Sequence, residues 1–595
     1  MKSYFFKLLV SLFLYFPLQG FSNSFSKIDV VTKNAFIDIE ILKHFLETRY
    51  APLEWKAEFF GWNLEREVQI AKLKILKYGY PSTKQCQRAI ADLMASLRDY
   101  HVGVVFYSTE ESRLPFVIKR SSSNRLYVTH VFPECPRDIE VGDEVLSMNH
   151  KSSEELINSL MKDQCSYTDI SLGINKLTNR LGSLGDDIFL GNVVIELKKP
   201  CGTCLNVNCF WQVKPELIFD FSKVSRKNNK KKLDSKGNVF NQKQEKDFCL
   251  KEKNYLSWIK VKMLPVFWSE ISSEIKTRSH SHLIGNKKGF LPKLSSNVIW
   301  EADPILGFYS YICSMTDPEG NEKKVGFLRI PSYLYDSSDI ISSLACPWDN
   351  FGEIISFLDS NTDLLVIDQQ NNPGGSLFFM YGMVSMLIEK PVKLPLYQLV
   401  LNQEDIDMAV MLESLLQTVT TDDEARDILG DSLEGLVVDK EFAFGLREFC
   451  LELIRTWESG EYELTHPMPF FGFKQIQPHP DHNYRKPILL LVNENSFSCA
   501  DFLPAIFKDN KRALILGMKT SGAGGFVYNC SFPNLTGIKS CSFTGSLAIR
   551  ENQKVIENLG VTPDVFLELS DLDLQSGLYL DFISSIKNTI FSLLK

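Results

Sequence analysis

The chain has 595 residues, of which 44% are hydrophobic and 23% charged, and its formal net charge is -8 at pH 7. This length exceeds what one hydrophobic core can organise and predicts three or more domains, while the composition is that of an ordinary globular protein. The negative charge argues against a general nucleic-acid-binding protein, and no internal apolar run reaches membrane-spanning length. We therefore expect neither a nucleic-acid partner nor a stable membrane anchor.

The first 23 residues have the pattern of a secretory signal peptide. Lys2 and Lys7 precede an apolar run from Leu8 to Leu18, which small residues follow. A basic start, a short apolar run and small residues are typical of a Sec signal. The sequence therefore predicts that residues 1–23 are a signal peptide and that the protein is secreted.

Residues 24–103 are predicted to form a helical N-terminal region. His101 lies near its end, where the helical period gives way to a strand period that runs to Phe106. Functional side chains are often displayed at such junctions, so His101 is a candidate general base; a satisfied turn histidine is the alternative. The predicted helices span Ala35–Tyr50, Leu64–Tyr78 and Thr83–Leu97.

Residues 104–215 are strand-rich and are predicted to form a PDZ-like domain. The segment Ile139–Asn149, followed by helical Ser153–Met161, has the strand and helix pattern of a PDZ domain. Such domains bind an extended peptide as an added strand. The predicted strands are Pro115–Lys119, Arg125–Val131, Glu144–Asn149, Asn192–Lys198 and Leu205–Val213.

Three cysteines in this domain could begin a zinc site. Cys201 and Cys204 have the spacing of a ligand pair, and Cys209 follows closely. No second ligand pair follows at the spacing of a zinc ribbon, and the cluster lies between two strand-like runs. We therefore expect no metal and no cofactor.

Residues 216–290 are predicted to be a linker. Lys223–Lys236 contains seven basic residues and almost no apolar ones, which indicates an exposed, protease-accessible segment; a nucleic-acid or nuclear-localisation signal is the alternative. The apolar peptide Val261–Trp268 lies between two polar loops. A tethered apolar peptide can occupy a nearby groove at high effective concentration, which predicts an inhibitory segment; an ordinary strand of the PDZ-like domain is the alternative.

From about residue 300 the pattern becomes α/β, and we place the last domain at residues 291–595. Residues 390–482 interrupt it as a mostly helical insertion without an assignable role. The predicted core strands are Val325–Ile330, Asp363–Asp368, Ile488–Val492 and Ala513–Gly517, and the predicted covering helices are Phe351–Leu358, Leu377–Glu389 and Phe502–Phe507.

One stretch of this domain combines a strand, a sharp turn, a serine and a helix. Ile488–Val492 is a buried strand, Asn493–Phe497 forms the turn, and helical spacing begins at Ser498. This order presents a hydroxyl at a helix N-terminus, where unpaired backbone N–H groups can stabilise an oxyanion. Ser498 is therefore a candidate nucleophile, and an ordinary N-cap serine is the alternative.

A second strand and turn contain the pair Gly374 and Gly375. Paired glycines let a backbone N–H approach a substrate oxygen closely, although a simple glycine turn has the same pattern.

Near the end of the chain, Glu551 and Glu557 offer two carboxylates, and Glu551 has the setting of an exposed hairpin charge.

Together these stretches resemble one family, the tail-specific (carboxy-terminal-processing) serine proteases. Ile367–Gly375 is similar to the oxyanion turn of the family and Asn495–Asp501 to its nucleophile turn, with Ser498 as the nucleophile. Gly517–Gly525 is similar to its glycine turn and Ile556–Asp564 to its closing motif. The resemblance implies a crotonase-like (ClpP/crotonase-type) α/β catalytic domain with a PDZ-like domain and a helical N-terminal region.

One departure from the family bears on the mechanism. Many members use a Ser–Lys dyad with the lysine in the glycine turn, whereas that position is Ala523 here and Lys519 lies four residues earlier. In the member that this chain resembles almost throughout, a histidine is the base and a glutamate orients it, which maps onto His101 and Glu557. An imidazole suits the role of base near neutral pH, and a carboxylate behind it stabilises the imidazolium.

The resemblance also implies a function, that of a secreted serine endopeptidase with the triad Ser498, His101 and Glu557. Its oxyanion donors would be the N–H of Cys499 and that of Gly374 or Gly375. The resemblance further implies a self-cleaving zymogen that forms a homodimer and digests host proteins after release from the bacterium. Two alternatives remain, a non-proteolytic ligand- or peptide-binding protein on the same fold and a periplasmic tail-specific processing protease.

Overall fold

A computed structural model describes residues 29–160, 166–217, 284–335, 346–460 and 464–595. The predicted signal peptide, most of the predicted linker, and the apolar peptide Val261–Trp268 lie outside these ranges. No helix in the described ranges is both long enough and apolar enough to cross a membrane.

The N-terminal region is helical, as predicted, and its helices pack into one apolar core. Strand β1 follows the helices and contributes Val104 and Phe106 to that core. The helix α2 was not predicted, because its eight residues are too few to show a helical period. The elements are α1 Val30–Arg49, α2 Leu53–Phe60, α3 Leu64–Leu76, α4 Thr83–Ala95 and β1 Gly103–Phe106.

The next region has the antiparallel sheet expected of a PDZ-like domain, with strand order β3-β4-β5-β8-β9. The predicted single strand from Leu205 to Val213 is wrong in one detail: β9 ends at Phe210, and Gln212–Lys214 pairs with β2 in a different sheet. The elements are β2 Glu111–Arg113, β3 Phe116–Arg120, β4 Leu126–Val131, β5 Glu144–Met148, β6 Lys151–Ser152, α5 Ser153–Leu160, α6 Tyr167–Thr178, β7 Asn179–Leu181, β8 Asn192–Lys198, β9 Cys204–Phe210 and β10 Gln212–Lys214.

The C-terminal part contains a seven-stranded sheet with helices on both faces, which confirms the predicted α/β class. Strands β11, β12 and β13 pair antiparallel, and β13 then pairs parallel with β14. The elements before residue 390 are β11 Val298–Glu301, β12 Ser310–Thr316, β13 Glu322–Arg329, α7 Pro347–Asn361, β14 Leu364–Asp368 and α8 Leu377–Met386.

The prediction of a mostly helical insertion at residues 390–482 is wrong, because its helices hold fewer than half of the described residues there and short strands and loops make up the rest. Leu412 on its first helix and Leu446 on its last are buried in the same core as α7 and α8. The insertion is therefore packed into the α/β core. Its elements are β15 Val392–Lys393, β16 Leu396–Leu399, α9 Gln403–Leu416, α10 Asp422–Leu429, β17 Ser432–Leu433, β18 Leu436–Val437, α11 Lys440–Glu458, β19 Met468–Pro469 and β20 Gln475–Ile476.

The last segment completes the sheet and returns to the N-terminal region. Strands β14, β21, β22 and β26 are parallel neighbours in the order β14-β21-β22-β26. Strand β24 pairs antiparallel with β1 and packs on the N-terminal helices. The elements are β21 Ile488–Val492, α12 Cys499–Asp509, β22 Leu514–Gly517, β23 Val527–Cys530, β24 Ile538–Thr544, β25 Ser546–Ile549, β26 Val565–Phe566, α13 Asp571–Ser576 and α14 Leu580–Leu593.

Candidate active site

The candidate site lies at the carboxyl edge of the parallel strands. Strand β14 ends at Asp368, β21 at Val492 and β22 at Gly517. Because parallel neighbours end at the same edge, the three loops that follow them meet there. These loops are the three turns predicted from sequence, those that contain Gly374, Ser498 and Ala523.

Ser498 has an unusual backbone conformation. Its φ is 56° and its ψ is -119°, although it is not a glycine, and it immediately precedes α12. The serines Ser82 and Ser166, which cap α4 and α6, have ordinary extended backbones with φ of -75° and -83°. A positive φ at a serine between a strand and a helix holds the side chain at a sharp turn, and such local strain occurs at functional sites. The simple N-cap alternative does not account for this conformation.

Asp501 holds the turn of Ser498 against the glycine turn. Its carboxylate accepts the backbone N–H of Ser498 at 2.9 Å and the hydroxyl of Ser521 at 2.9 Å. It also accepts the backbone N–H groups of Gly522 and Ala523 at 2.8 and 3.0 Å. Burial raises the pKa of Asp501 to about 6, and these donors oppose the rise. One buried carboxylate therefore fixes two of the three loops relative to each other.

The glycine pair after β14 lies directly beside Ser498. A Cβ on Gly374, whose φ is +91°, would come 2.6 Å from the Cβ of Ser498. The N–H of Gly374 donates to the side-chain oxygen of Asn372 at 2.8 Å. Hydrogen bonds among the described residues leave the N–H of Gly375 unused. Of the two glycines, Gly375 is therefore the one whose N–H is available to an oxyanion.

His101 is buried at the junction between the N-terminal helices and β1. Its backbone N–H donates to Asp99 Oδ1 at 2.8 Å, and neither ring nitrogen has a hydrogen-bond partner among the described residues. Burial lowers the pKa of His101 to about 4; the Asp99 carboxylate raises it and the Lys56 cation lowers it further. The ring of the adjacent Tyr100 packs edge-on against Phe497, the residue before Ser498, at 5.7 Å. The loop of His101 is thus docked on the turn of Ser498.

Glu557 is fully buried and belongs to the same neighbourhood. Its Oε2 accepts the N–H of Gly524 at 3.1 Å, and its Oε1 accepts Lys56 Nζ at 2.5 Å. Burial and the charge of Asp99 raise the pKa of Glu557, and the contact with Lys56 opposes the rise. Glu551 is instead exposed and pairs with Lys393 on the surface.

The structure therefore places the turn of Gly374 and Gly375 beside Ser498. Glu557 contacts the glycine turn at Gly524, and Asp501 links the same turn to Ser498. The structure does not join the ring of His101 to Ser498 or Glu557 by a hydrogen bond. Burial is what gives His101 and Glu557 their shifted pKa values, as is common for groups at functional sites.

Two residues of this site were missed by the sequence analysis. Asp501 lies three residues after Ser498, a capping-box spacing that could have indicated it. Lys56 lies on the unpredicted helix α2, and nothing in its local sequence distinguishes it from a surface lysine.

Two of the cysteines considered for a zinc site do not face the same environment. Cys204 is exposed at the start of β9, whereas Cys209 on the same strand is buried in the core of the PDZ-like region. Within the described ranges no group of three or more His, Cys, Asp or Glu side chains is arranged to hold a metal ion.

Comparison with known proteins shows where this arrangement belongs. Peptidase family S41 matches residues 324–567, and the PDZ domain family matches residues 110–224. A protein of Chlamydia pneumoniae is 38% identical over 574 residues, which cover 96% of this chain and 91% of the relative. The chain belongs to peptidase family S41.

Solved structures extend the likeness over nearly the whole chain of this S41 peptidase. The structure of mature CPAF complexed with lactacystin is 36% identical, with a TM-score of 0.81, and the match covers 95% of this chain and 99% of that one. The structure of a CPAF mutant has the same identity, a TM-score of 0.84, and coverage of 95% and 98%. The S41 peptidase is accordingly a CPAF-like tail-specific serine protease, a hydrolase that acts on proteins.

Proposed function

We propose that this S41 peptidase is a secreted endopeptidase in which Ser498 is the nucleophile, His101 the general base and Glu557 the carboxylate that orients it. The observation that carries the proposal is the positive φ of Ser498 at a turn packed against Gly374. A serine held in this conformation directs its hydroxyl toward a neighbouring oxyanion turn.

In the proposed reaction, the Ser498 hydroxyl attacks the scissile carbonyl while the His101 imidazole takes its proton. The N–H groups of Cys499 and Gly375 stabilise the oxyanion, and the imidazolium then protonates the leaving amine. Water repeats the sequence on the acyl-enzyme and releases the acid and free Ser498. The lowered pKa of His101 keeps its ring neutral at pH 7, as a base must be, and both ring nitrogens are available for partners.

The zymogen, the homodimer and the host-protein substrates are proposed by analogy with CPAF, and secretion is proposed from the sequence. One of the similar solved structures is that of mature CPAF. By analogy, this chain is made as a zymogen that cuts itself within residues 216–290 and then acts as a homodimer on host proteins. A signal peptide at residues 1–23 would start its secretion.

The test is labelling and turnover by the purified chain. A fluorophosphonate should label the wild type at Ser498, and Ser498→Ala and His101→Ala should each lower peptide hydrolysis roughly a thousandfold or more. Glu557→Gln should lose activity, while Glu551→Gln and Lys519→Ala are matched controls that should keep most of it. Near-wild-type hydrolysis by a folded Ser498→Ala protein would overturn the assignment. A self-cleavage time course with Ser498→Ala as control tests the zymogen step.

A further inference from the structure

We infer that Lys56 is a positioning residue of this active site, which holds Glu557 as an oriented carboxylate from a helix of the N-terminal region. The inference rests on the proposed role of Glu557. Lys56 itself touches no reacting atom in this scheme and acts through the carboxylate.

The Lys56 ammonium makes three hydrogen bonds, and the one to Glu557 is fully buried. Its Nζ donates to Glu557 Oε1 at 2.5 Å, to the side-chain oxygen of Asn558 at 2.6 Å and to the backbone oxygen of Arg98 at 3.3 Å. The side chains of Lys56 and Glu557 are both 0% exposed. An ammonium has three donors, and all three are thus used.

A second set of contacts fixes Asn558, the residue after Glu557 and a partner of Lys56. The side-chain N–H of Asn558 donates to the backbone oxygen of Arg98 at 2.7 Å, and its oxygen also accepts the indole N–H of Trp55 at 3.2 Å. Arg98 lies three residues before His101. The helix that carries Lys56, the loop of His101 and the segment of Glu557 are therefore joined by one hydrogen-bond network.

This arrangement has an electrostatic reason. A fully buried carboxylate without a counter-charge is neutralised, because the ionised form loses its hydration. A neutral Glu557 could not stabilise an imidazolium at His101. The adjacent charge of Asp99 adds to the difficulty, since it too disfavours ionisation of Glu557. Lys56 is the cation that contacts Glu557 directly.

The charged and titratable groups around Glu557 come from three segments: α2 with Lys56, the end of α1 with Tyr50, and the loop before β1 with Arg98 and Asp99. Lys56 approaches from α2, and Asp99 lies in the loop before β1 with its carboxylate accepting the hydroxyls of Tyr50 and Thr544. The guanidinium of Arg98 lies over the ring of Phe60, 5.0 Å from its centroid. Asp99 and Lys56 thus act on Glu557 with opposite signs, and removal of Lys56 leaves the acidic neighbour unopposed.

The experiment compares Lys56→Met, Glu557→Gln and the double variant in the full-length chain, with kcat/KM measured from pH 6 to 10. We expect Lys56→Met to lower kcat/KM at pH 7 about ten- to a hundredfold and to move its acidic limb to higher pH by one unit or more, because Glu557 then ionises later. In the Glu557→Gln background, Lys56→Met should have almost no further effect, since the two residues act as a unit.

A matched control removes another lysine–carboxylate pair of the same region. Lys72 on α3 pairs with Glu40 on α1, away from the active site. Lys72→Met should leave both kcat/KM and its pH profile unchanged. Unchanged or increased activity of folded Lys56→Met would overturn the inference. It would also be overturned if the losses of kcat/KM in Lys56→Met and Glu557→Gln added fully in the double variant while the acidic limb of the pH profile did not move.

Folding provides a second readout, because Lys56→Met leaves a buried carboxylate unpaired and can prevent folding. The double variant removes both charges, so its melting temperature should recover toward that of Glu557→Gln. A double variant as unstable as Lys56→Met would show that Lys56 acts through some other contact and would overturn the inference. If Glu557→Gln alone keeps full activity, the proposed triad itself is wrong; if only Lys56→Met is harmless, the failure belongs to this inference.

Discussion

A Cβ at Gly374 would lie 2.6 Å from the Cβ of Ser498 and 3.1 Å from its Oγ. Real Cβ atoms do not come so close, so the turn after β14 and the turn after β21 fit together only because residue 374 is a glycine. The φ of +91° at this position is a second reason, since residues with a Cβ avoid that conformation.

We therefore expect Gly374→Ala to displace the Ser498 hydroxyl and to lower kcat/KM by about a hundredfold or more, because catalysis depends on placement to within about 1 Å. The measurement is peptide hydrolysis, with folding checked by circular dichroism. Gly320→Ala is the matched control: Gly320 has nearly the same φ, +89°, but a Cβ there would meet nothing within 4 Å. Gly320→Ala should keep full activity. Equal losses of kcat/KM in both variants would mean that backbone strain, and not the contact with Ser498, causes the loss.

The carboxylate of Asp501 should be needed for the shape of the site. Asp501→Asn replaces one acceptor oxygen by a donor that would face backbone N–H groups, so we expect a loss of unfolding free energy of about 1–3 kcal/mol. We also expect kcat/KM to fall about tenfold or more, because the turns of Ser498 and Ala523 lose their common anchor. Urea unfolding and hydrolysis rates measure the two effects.

Asp573→Asn is the control for Asp501→Asn. Asp573 is also buried and also accepts backbone N–H groups, those of Ser570 and Asp581, but it lies on α13 and contacts none of the three turns of the site. Asp573→Asn should lower stability to a similar extent without lowering kcat/KM per folded molecule. Wild-type activity of folded Asp501→Asn would contradict the role of Asp501 as an anchor.

Acidification should destabilise the protein through His101. Its pKa is lowered to about 4 by burial, whereas a histidine in the unfolded chain titrates near its ordinary value of 6.5. Between these values the unfolded state binds a proton that the folded state does not, so the contribution of His101 to stability is complete above pH 6.5 and is lost as the pH falls toward 4. The loss amounts to about 3 kcal/mol over this window.

The measurement is the free energy of urea unfolding at several pH values between 7.5 and 4, for the wild type and for His101→Gln. The variant cannot titrate at this position, so its stability should fall less steeply with acid. His44→Gln, on the exposed face of α1, should behave as the wild type does. Parallel curves for the wild type and His101→Gln would mean that the ring of His101 is protonated as easily in the folded state as in the unfolded one.

Much of the fold could be predicted because its signals are local. The strand Ile488–Val492 was predicted to the residue, since a short apolar run before a turn is typical of a buried parallel strand. The helix that begins at Cys499 and the capping pattern of its first turn are also readable from neighbouring residues. By contrast, the end of the predicted strand at Val213 was wrong, because Gln212–Lys214 pairs with β2, far earlier in the chain, and no local pattern reveals that partner.

The sequence by itself determined the class of the protein and the turns that carry Ser498, Gly374 and Ala523, because each turn depends on residues within a few positions of one another. The assignment of His101 and Glu557 came from the resemblance to the tail-specific proteases. Only the tertiary structure decided that Lys56 pairs with Glu557 and that Gly374 already uses its N–H on Asn372. Lys56 and Glu557 are 501 positions apart. In the sequence, a lysine on a short helix cannot be told from a surface residue. Folding buries the Lys56 charge, which then needs an opposite charge beside it, and the carboxylate that supplies this charge is not in the local sequence.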